Sequence, residues 1–436
     1  MEKIDVAGLK VDSITKQELL NKISDRLQAD EKTFITTPYS EFLYYSLKNP
    51  KLLAMLNRGD ISLPDGIGLF WAAKFLQMPF TAKSYYGKIL QAFWQMVYSG
   101  ASILLYPQFI RSAFKEKISG SNLVWDLATL AAEQNKSIYL LGGFEDTPKL
   151  AAEKLSSYMV TIRGRKGLPY EKKVIAGYSS KNFDDPTIID DIKKANPDFL
   201  FVAFGPIKQE QWIADHMQEL PCKLFIGLGG TFDYIAGKRS SPPAFIRSIG
   251  LEWLYRLITQ PHRFKRILNA VPGLIFRLIK YKVQISLPYR KNVVSIILNK
   301  DNKVFVGLRK PDGLERNNNH WMFPQGGLEK NEDIIAGARR EIYEEIGIRS
   351  VEFLKTSLSV NTYLWPQEFS KKFKGQVQSI VYFRLADENE KIKFDTYHTP
   401  EFTNYQWVDI NNLTDIIHPL RKPLDTIVQE DLKDLT

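Results

Sequence analysis

The first half of the chain is predicted to be an α/β domain built on a doubly wound parallel sheet, followed by a basic joint and a second domain. Three observations predict this: short β-branched apolar runs alternating with helical segments up to residue 237, a basic segment from Lys238 to Lys291, and a glycine- and glutamate-rich pattern over residues 326–348. At 436 residues there is chain for two or three domains, each able to bury its own core.

With 44% apolar, 12% aromatic and 25% charged residues the composition is globular and excludes a disordered chain. The lone Cys222 excludes an internal disulfide and fits a reducing compartment. Glu2, Lys3 and Asp5 stand where a secretory signal would need its apolar core, and no stretch approaches the ~18 apolar residues of a spanning helix. The expected location is cytoplasmic, peripheral on the inner face of the cell membrane.

The strand-like runs of the first domain, residues 1–237, are Phe34–Thr36, Ile61–Leu63, Ile138–Leu141, Val174–Tyr178, Phe199–Phe204 and Leu224–Leu228. Thr15 followed by Glu18 reads as a capping box opening the first helix. In such folds ligands sit beyond the carboxyl ends of the strands, so the residues after each run are the candidates. They include Thr37-Pro38-Tyr39, Pro64-Asp65-Gly66, Gly142-Gly143, Gln209-Glu210 and Gly229-Gly230. Glycines there let backbone N–H groups approach a phosphate, and a helix N-terminus behind them favours negative charge. A diphosphate-bearing ligand fits, although glycine turns also end strands in any sheet of this kind.

The motifs LPDGIG (63–68), PIKQEQW (206–212), GGTFDYIAGK (229–238) and GLEWLYRLITQPHRFKR (250–266) together resemble the WecG/TagA/CpsF family of glycosyltransferases. The resemblance spans nearly all of residues 1–268 and implies a Rossmann-like domain with a basic, membrane-docking appendage. It implies inverting transfer of an N-acetylmannosamine-type N-acetylhexosamine from a UDP-sugar to a polyprenyl-diphosphate-linked acceptor in cell-surface polysaccharide synthesis, with no metal required. By the same resemblance Asp65 is the general base with Thr37 beside it, Gly142 and Gly143 line the substrate site, Gln209 and Glu210 hold donor hydroxyls, and Arg256 and Arg263 pair with diphosphate oxygens. Each has a plainer alternative: Asp65 as a helix cap, Gln209 and Glu210 as a solvated helix start, the arginines as unspecialised charges. The chain departs from the family at Tyr39, at Lys117 and Asn122, and at Ser241, where the family writes Asn, Arg, Asp and Arg. Residues 80–112 look like an insertion, either a lid or groove for a lipid-linked acceptor or an extra helical pair packed on the core.

Residues 238–286 form the joint. From Lys238 to Lys291 there are twelve Lys or Arg against Glu252 alone, so the segment sums to 12 − 1 = +11 of a chain total of +10, and the remainder carries 10 − 11 = −1. Its aromatic and aliphatic residues suit an anionic membrane surface. Pro261 and Pro272-Gly273 are expected to break it into short helices. In the last piece Leu274, Ile275, Leu278 and Ile279 share one face, expected to meet a membrane, with packing on protein as the alternative. Single-stranded nucleic acid is a further candidate partner, since bases stack on interleaved aromatics.

The second domain, residues 287–436, carries Gly326, five residues, Glu332, seven residues, then Arg340-Glu341-Ile342-Tyr343-Glu344-Glu345-Ile346-Gly347-Ile348. On a helix Glu341, Glu344 and Glu345 stand at i, i+3 and i+4, an arrangement that destabilises a bare helix and that a divalent cation would explain. Oxygen ligands of this type select Mg²⁺ or Mn²⁺, able to clamp a polyphosphate and activate water. This pattern is similar to the Nudix box. The resemblance implies an α/β/α sandwich with a mixed sheet, Glu341, Glu344 and Glu345 as metal ligands, an Arg340–Glu332 pair fixing the box, and Gly326 and Gly347 as structural turns. Pro288 to Val293, Trp321, Phe323 to Gly327, Gly375 to Gln378 and Thr399 to Phe402 resemble the branch of RNA pyrophosphohydrolases and dinucleoside polyphosphate hydrolases, with Glu401 as base or extra ligand. The combined expectation is a bifunctional enzyme acting on a UDP-sugar and on a nucleoside polyphosphate or 5′-triphosphate RNA. The rival is a Nudix hydrolase whose first domain is a non-catalytic membrane- or RNA-binding module.

Overall fold

The computed structural model describes residues 2–167, 174–239, 243, 246, 252–259, 264–310, 321–365, 370–396, 400–413 and 422–433. The chain divides into two compact units, Met1–Val283 and Gln284–Thr436.

The first unit begins with an antiparallel hairpin, β1 (Lys3–Val6) and β2 (Leu9–Asp12), with Val6 opposite Leu9. Its two turn residues, Ala7 and Gly8, both take positive φ (56° and 90°), as the right-handed strand twist demands of a two-residue turn. Then follow α1 (Lys16–Gln28), β3 (Thr33–Thr36), α2 (Ser40–Ser46), α3 (Pro50–Leu56), β4 (Ile61–Ser62), α4 (Ile67–Gln77), α5 (Tyr85–Leu105), α6 (Pro107–Arg111) and α7 (Gly120–Glu133). The expected capping box is present: Glu18 N–H donates to Thr15 Oγ1 at 3.2 Å and Thr15 N–H to Glu18 Oε2 at 2.9 Å.

The sheet is completed by β5 (Ile138–Gly142), α8 (Thr147–Lys166), β6 (Ile175–Ser179), α9 (Ile188–Ala195), β7 (Phe199–Ala203), α10 (Lys208–His216), β8 (Leu224–Gly227) and α11 (Thr231–Ala236). All six expected runs are strands, paired in parallel in the order β4-β3-β8-β7-β5-β6. Alternate residues serve opposite faces: Ile35, Phe199 and Phe201 enter one core, and Phe34, Leu200 and Val202 the other. Burial on both faces is why these strands read as unbroken apolar runs.

A third core joins the hairpin, helices α2 to α6 and the helix Leu274–Ile285. Two expectations are corrected there. Pro272 does not stop the chain, because the helix Phe264–Leu268 runs through a wider π turn, Asn269–Gly273, straight into Leu274–Ile285. The wide turn gives the proline ring room and uses no N–H from it, and Gly273 lets Tyr44 approach where a Cβ would meet the ring at 2.9 Å. The apolar stripe of that helix faces protein: Leu274, Leu278 and Val283 are buried and Ile275 and Ile279 half-buried against the third core. Buried Lys282 sits on the same side and donates to Phe75 O and Gln95 Oε1. Pro261 lies outside the described residues. Residues 80–112 form α5 and α6, packed on α4. Among the described residues no helix is long and apolar enough to cross a membrane.

The second unit contains a mixed sheet of β9 (Tyr289–Leu298), β10 (Val304–Arg309), β11 (Trp321–Met322), β12 (Gln325–Gly327), β13 (Val351–Leu364), β14 (Gly375–Leu385) and β15 (Phe402–Val408). The central path is β11-β10-β9-β14-β13, with β9 and β14 parallel, β12 on β9 and β15 on β10. Val293 and Ile297 pack under the helix Ile334–Ile346, while Val294, Ile296 and Leu298 pack under the helix Lys422–Leu432. One helix on each face makes the expected α/β/α sandwich.

Candidate active sites

In the first unit the carboxyl ends of β3, β4, β5, β7 and β8 lie along one edge of the parallel sheet, and the loops that follow carry the candidate residues. Asp65 N–H donates to Pro38 O at 3.0 Å and Leu63 N–H to Thr36 O at 2.8 Å, which stitches the β4 loop to the β3 loop. Thr37 is buried, and a Cβ on Gly120 would stand 3.7 Å from it and 3.8 Å from Leu228, so the loops after β3 and β8 meet the start of α7 there. The N-cap of α4 is Gly66, φ 78°, not Asp65. Asp65, one residue before that cap, is half-buried.

Gly142 ends β5 and Gly143 follows it, with φ of 89° and 90°, and a Cβ on Gly142 would meet the Ala203 carbonyl at 2.9 Å. Only glycine satisfies both conditions.

The β7 loop differs from expectation. Gln209 accepts Gly229 N–H at 2.9 Å through Oε1 and donates to Glu210 Oε1 at 2.8 Å. Glu210 is fully buried, and its Oε2 accepts Ile207 N–H at 2.7 Å. The carboxylate that the resemblance assigns to donor hydroxyls is thus spent inside the protein. Ile207, φ 73°, is a β-branched residue in a strained conformation, and Glu210 holds it there at the start of α10. Burial pushes the Glu210 carboxyl up to about 7, against the pull of its hydrogen bonds. Sequence reasoning missed this positioning role; a carboxylate three residues into a helix behind a glycine-proline turn was the available signal. Arg263 and Ser241 lie outside the described residues, as does the side chain of Arg256 on the helix Glu252–Thr259.

In the second unit the helix Ile334–Ile346 is capped by Asp333, whose Oδ1 accepts Ile335 and Ala336 N–H at 3.0 and 3.1 Å, and it ends at Gly347, φ 73°. Arg340 grips Glu332 with two bonds, Nε to Oε1 at 2.8 Å and Nη2 to Oε2 at 2.9 Å, and reaches Gly327 O at 3.1 Å. Its Nη1 contacts Glu341 Oε1 at 2.8 Å and Glu344 Oε2 at 3.1 Å. The Arg340 hydrogen bonds hold the Glu332 carboxyl below its ordinary value.

Glu341 and Glu345 are buried, and burial raises both carboxyls, Glu345 strongly, with the charge of Glu401 raising each further. Glu401 therefore belongs to the same electrostatic cluster, although it is exposed at the foot of β15. Glu345 Oε2 accepts Gln325 N–H at 3.0 Å. A Cβ on Gly326 would lie 1.8 Å from the Glu341 carboxyl carbon, so this glycine makes room for that side chain. Behind it Gln378 donates to Gln325 Oε1 at 2.7 Å and Asn292 Oδ1 at 3.2 Å and accepts from Asn361 at 2.7 Å. This buried amide network was not foreseen, although Gln376 and Gln378 at i and i+2 on one strand face were a signal for it.

Among the described residues no three acidic, histidine or cysteine side chains converge into a finished metal cage, since Arg340 draws on Glu341 and Glu344. The donor set still fits a hard divalent cation: buried carboxylates with raised pKa values are groups whose charge such an ion would stabilise.

Residues 4–96 and 81–287 match the family model described as Glycosyl transferase WecG/TagA/CpsF family, and residues 288–430 match the NUDIX domain. The chain belongs to the WecG/TagA/CpsF family and carries a Nudix hydrolase domain. An N-acetylglucosaminyldiphosphoundecaprenol N-acetyl-beta-D-mannosaminyltransferase of Bacillus subtilis is 31% identical over 236 residues, 54% of this chain and 75% of that protein. An RNA pyrophosphohydrolase of Pelagibacter ubique is 34% identical over 157 residues, 35% of this chain and 96% of that protein. A solved MutT protein from Methanosarcina mazei covers 34% of this chain and 98% of its own at 16% identity and a TM-score of 0.27. This member of the WecG/TagA/CpsF family is therefore a glycosyltransferase fused to a Nudix hydrolase.

Proposed function

We propose that the first unit transfers an N-acetylmannosamine-type sugar, with inversion, from a UDP donor to a polyprenyl-diphosphate-linked N-acetylglucosamine. Asp65 is the general base and Thr37 its neighbour; Gly142 and Gly143 admit the donor closely, and Arg256 and Arg263 are assigned to the diphosphate oxygens by the family resemblance alone. The observation that carries this assignment is the place of Asp65, a carboxylate at the carboxyl edge of a parallel sheet, tied through its backbone to the loop of Thr37. Glu210 has a positioning role, with its carboxylate on Ile207 and Gln209. The name of the Bacillus subtilis relative supports the choice of sugar and acceptor. A lipid-linked acceptor and the basic belt, the +11 segment Lys238–Lys291, support work at the inner membrane face, with the protein peripheral there.

For the second unit the reading is Mg²⁺-dependent hydrolysis of a phosphoanhydride at a 5′-triphosphate RNA end. Glu341, Glu344 and Glu345 would hold the metal, which on binding polarises the phosphate and activates water. Glu401 serves as base or further ligand, and Gln325 N–H fixes Glu345. The RNA pyrophosphohydrolase relatives favour RNA over a dinucleoside polyphosphate.

The deciding experiment measures UDP release from UDP-N-acetylmannosamine with a polyprenyl-diphosphate-N-acetylglucosamine analogue, in a Glu345→Gln background without Mg²⁺. Acceptor-dependent UDP that disappears with Asp65→Asn is expected. Silence from a folded sample, with this donor and other UDP-N-acetylhexosamines, would leave the first unit as a binding module. In parallel, pyrophosphate release from 5′-triphosphate RNA is expected to require Mg²⁺ and to vanish with Glu345→Gln.

A further inference from the structure

Helix α5 turns large apolar side chains outward. Its fully buried positions, against α4 and the helix Leu274–Ile285, are Ala92, Gln95, Ser99 and Ser102, with Tyr85, Met96 and Ile103 half-buried on the same core, and each buried polar side chain is hydrogen-bonded. Ser99 Oγ accepts Trp71 Nε1–H at 2.9 Å, Gln95 donates to Pro79 O at 2.8 Å and accepts from Lys282, and Ser102 donates to Tyr98 O at 2.8 Å. The outer face is apolar as well: Tyr86, Leu90, Phe93, Trp94, Val97 and Leu105 are 40–85% exposed. At 100° per residue all six fall within about 120° of one another along a helix of 21 residues, about 30 Å, and so form a single stripe.

A surface helix in water keeps its outward face polar. We propose that the outer face of α5 is the surface by which the protein docks into the interfacial layer of an anionic bilayer. Charge favours a bilayer over a second copy of the chain. Residues 80–112 contain Lys83, Lys88 and Arg111 and no acid, and Lys282 ties α5 to a helix from the +11 belt, so two such faces would repel each other while an anionic surface attracts both. Tyr86 and Trp94 are side chains suited to a headgroup boundary, apolar in body and polar at one edge. The helix would lie flat, since none here is apolar enough to cross. This inference rests on the membrane association proposed above and moves its contact from the belt stripe, which is covered by protein, to α5.

The test is co-sedimentation of the full chain with phosphatidylglycerol/phosphatidylcholine vesicles and with phosphatidylcholine vesicles, for the wild type and for Leu90→Ser/Phe93→Ser/Trp94→Ser. All three positions are exposed, so the variant should melt as the wild type does. Wild-type binding to the anionic vesicles that falls at least tenfold in the variant supports the inference, as does quenching of tryptophan emission by brominated lipid that is reduced in Trp94→Phe. Equal binding of both proteins would overturn it and leave the membrane contact elsewhere. A wild type that ignores all vesicles, or a dimer that the triple substitution splits without changing lipid binding, would overturn it as well. UDP release is measured separately with a short-chain acceptor, so failure of the transferase leaves these outcomes readable.

Discussion

Arg340 and Glu332 form a two-bond clamp, 2.8 and 2.9 Å, across the loop that opens the acidic helix, and the same guanidinium holds Glu341 and Glu344. Such fork-to-fork pairs are strong because both bonds are charge-assisted and the geometry is fixed. Glu332→Gln should cost about 1–2 kcal/mol, between an exposed pair and a buried charged bond. The depressed Glu332 carboxyl makes this contribution present above its ordinary value of 4.5 and lost as pH falls through the folded value. A urea series is expected to show the difference between wild type and variant at pH 7 and its collapse in acid; an equal difference at both pH values would refute the assignment.

Gly326→Ala places a methyl group 1.8 Å from the Glu341 carboxyl carbon, and Glu341 must move. If Glu341 holds the metal as proposed, the expected result is a loss of hydrolysis of about 10–100-fold, the size seen when a group that supports a ligand is changed, at little cost in stability. Pyrophosphate release and the melting temperature together decide this: a full loss of fold would mean the glycine serves packing alone.

The parallel sheet and the acidic helix were legible in the sequence for different reasons. Strands buried on both faces read as continuous apolar runs, and Glu341, Glu344 and Glu345 show their common face by spacing alone. The hairpin β1–β2 was passed over, although Ile4 and Val6 before Ala7-Gly8, and Leu9 and Val11 after it, alternate as a hairpin should. Pro272 misled because a local rule for α-helices ignores the wider turn Asn269–Gly273, within which the proline is accommodated. The stripe Leu274–Leu278 was correctly assigned to one face, but periodicity does not say what covers a face. Only the tertiary arrangement shows that the belt helix is covered and α5 is not.

Glu210 predicts an unusual pH dependence. Burial lifts its carboxyl from 4.5 to about 7, so between these values the folded chain binds more protons than the unfolded one and stability falls as pH rises. Glu210→Gln keeps an acceptor for Ile207 N–H and removes the charge. The stability difference between wild type and variant is expected to shift toward the variant from pH 5 to pH 8 in urea titrations. A pH-independent difference would show that Glu210 stays ionised throughout.

Lys282 makes the opposite case with a cation. Its ammonium is buried against Phe75 O and Gln95 Oε1, with the Phe75 ring 4.4 Å and the Phe80 ring 5.2 Å away. Burial lowers it to about 8, so between that value and the ordinary 10.5 the unfolded chain binds more protons and stability rises with pH. Lys282→Met fills the same space without donors and leaves Phe75 O and Gln95 Oε1 without this partner, a cost of about 1–3 kcal/mol that removal of the buried charge offsets at pH 7 and no longer offsets above pH 8. Both effects should converge on α5: hydrogen exchange over residues 85–105 is expected to quicken in the variant while the sheet strands stay protected. Unchanged exchange in α5 would mean that its packing on α4 suffices and that Lys282 is not what fastens the helix.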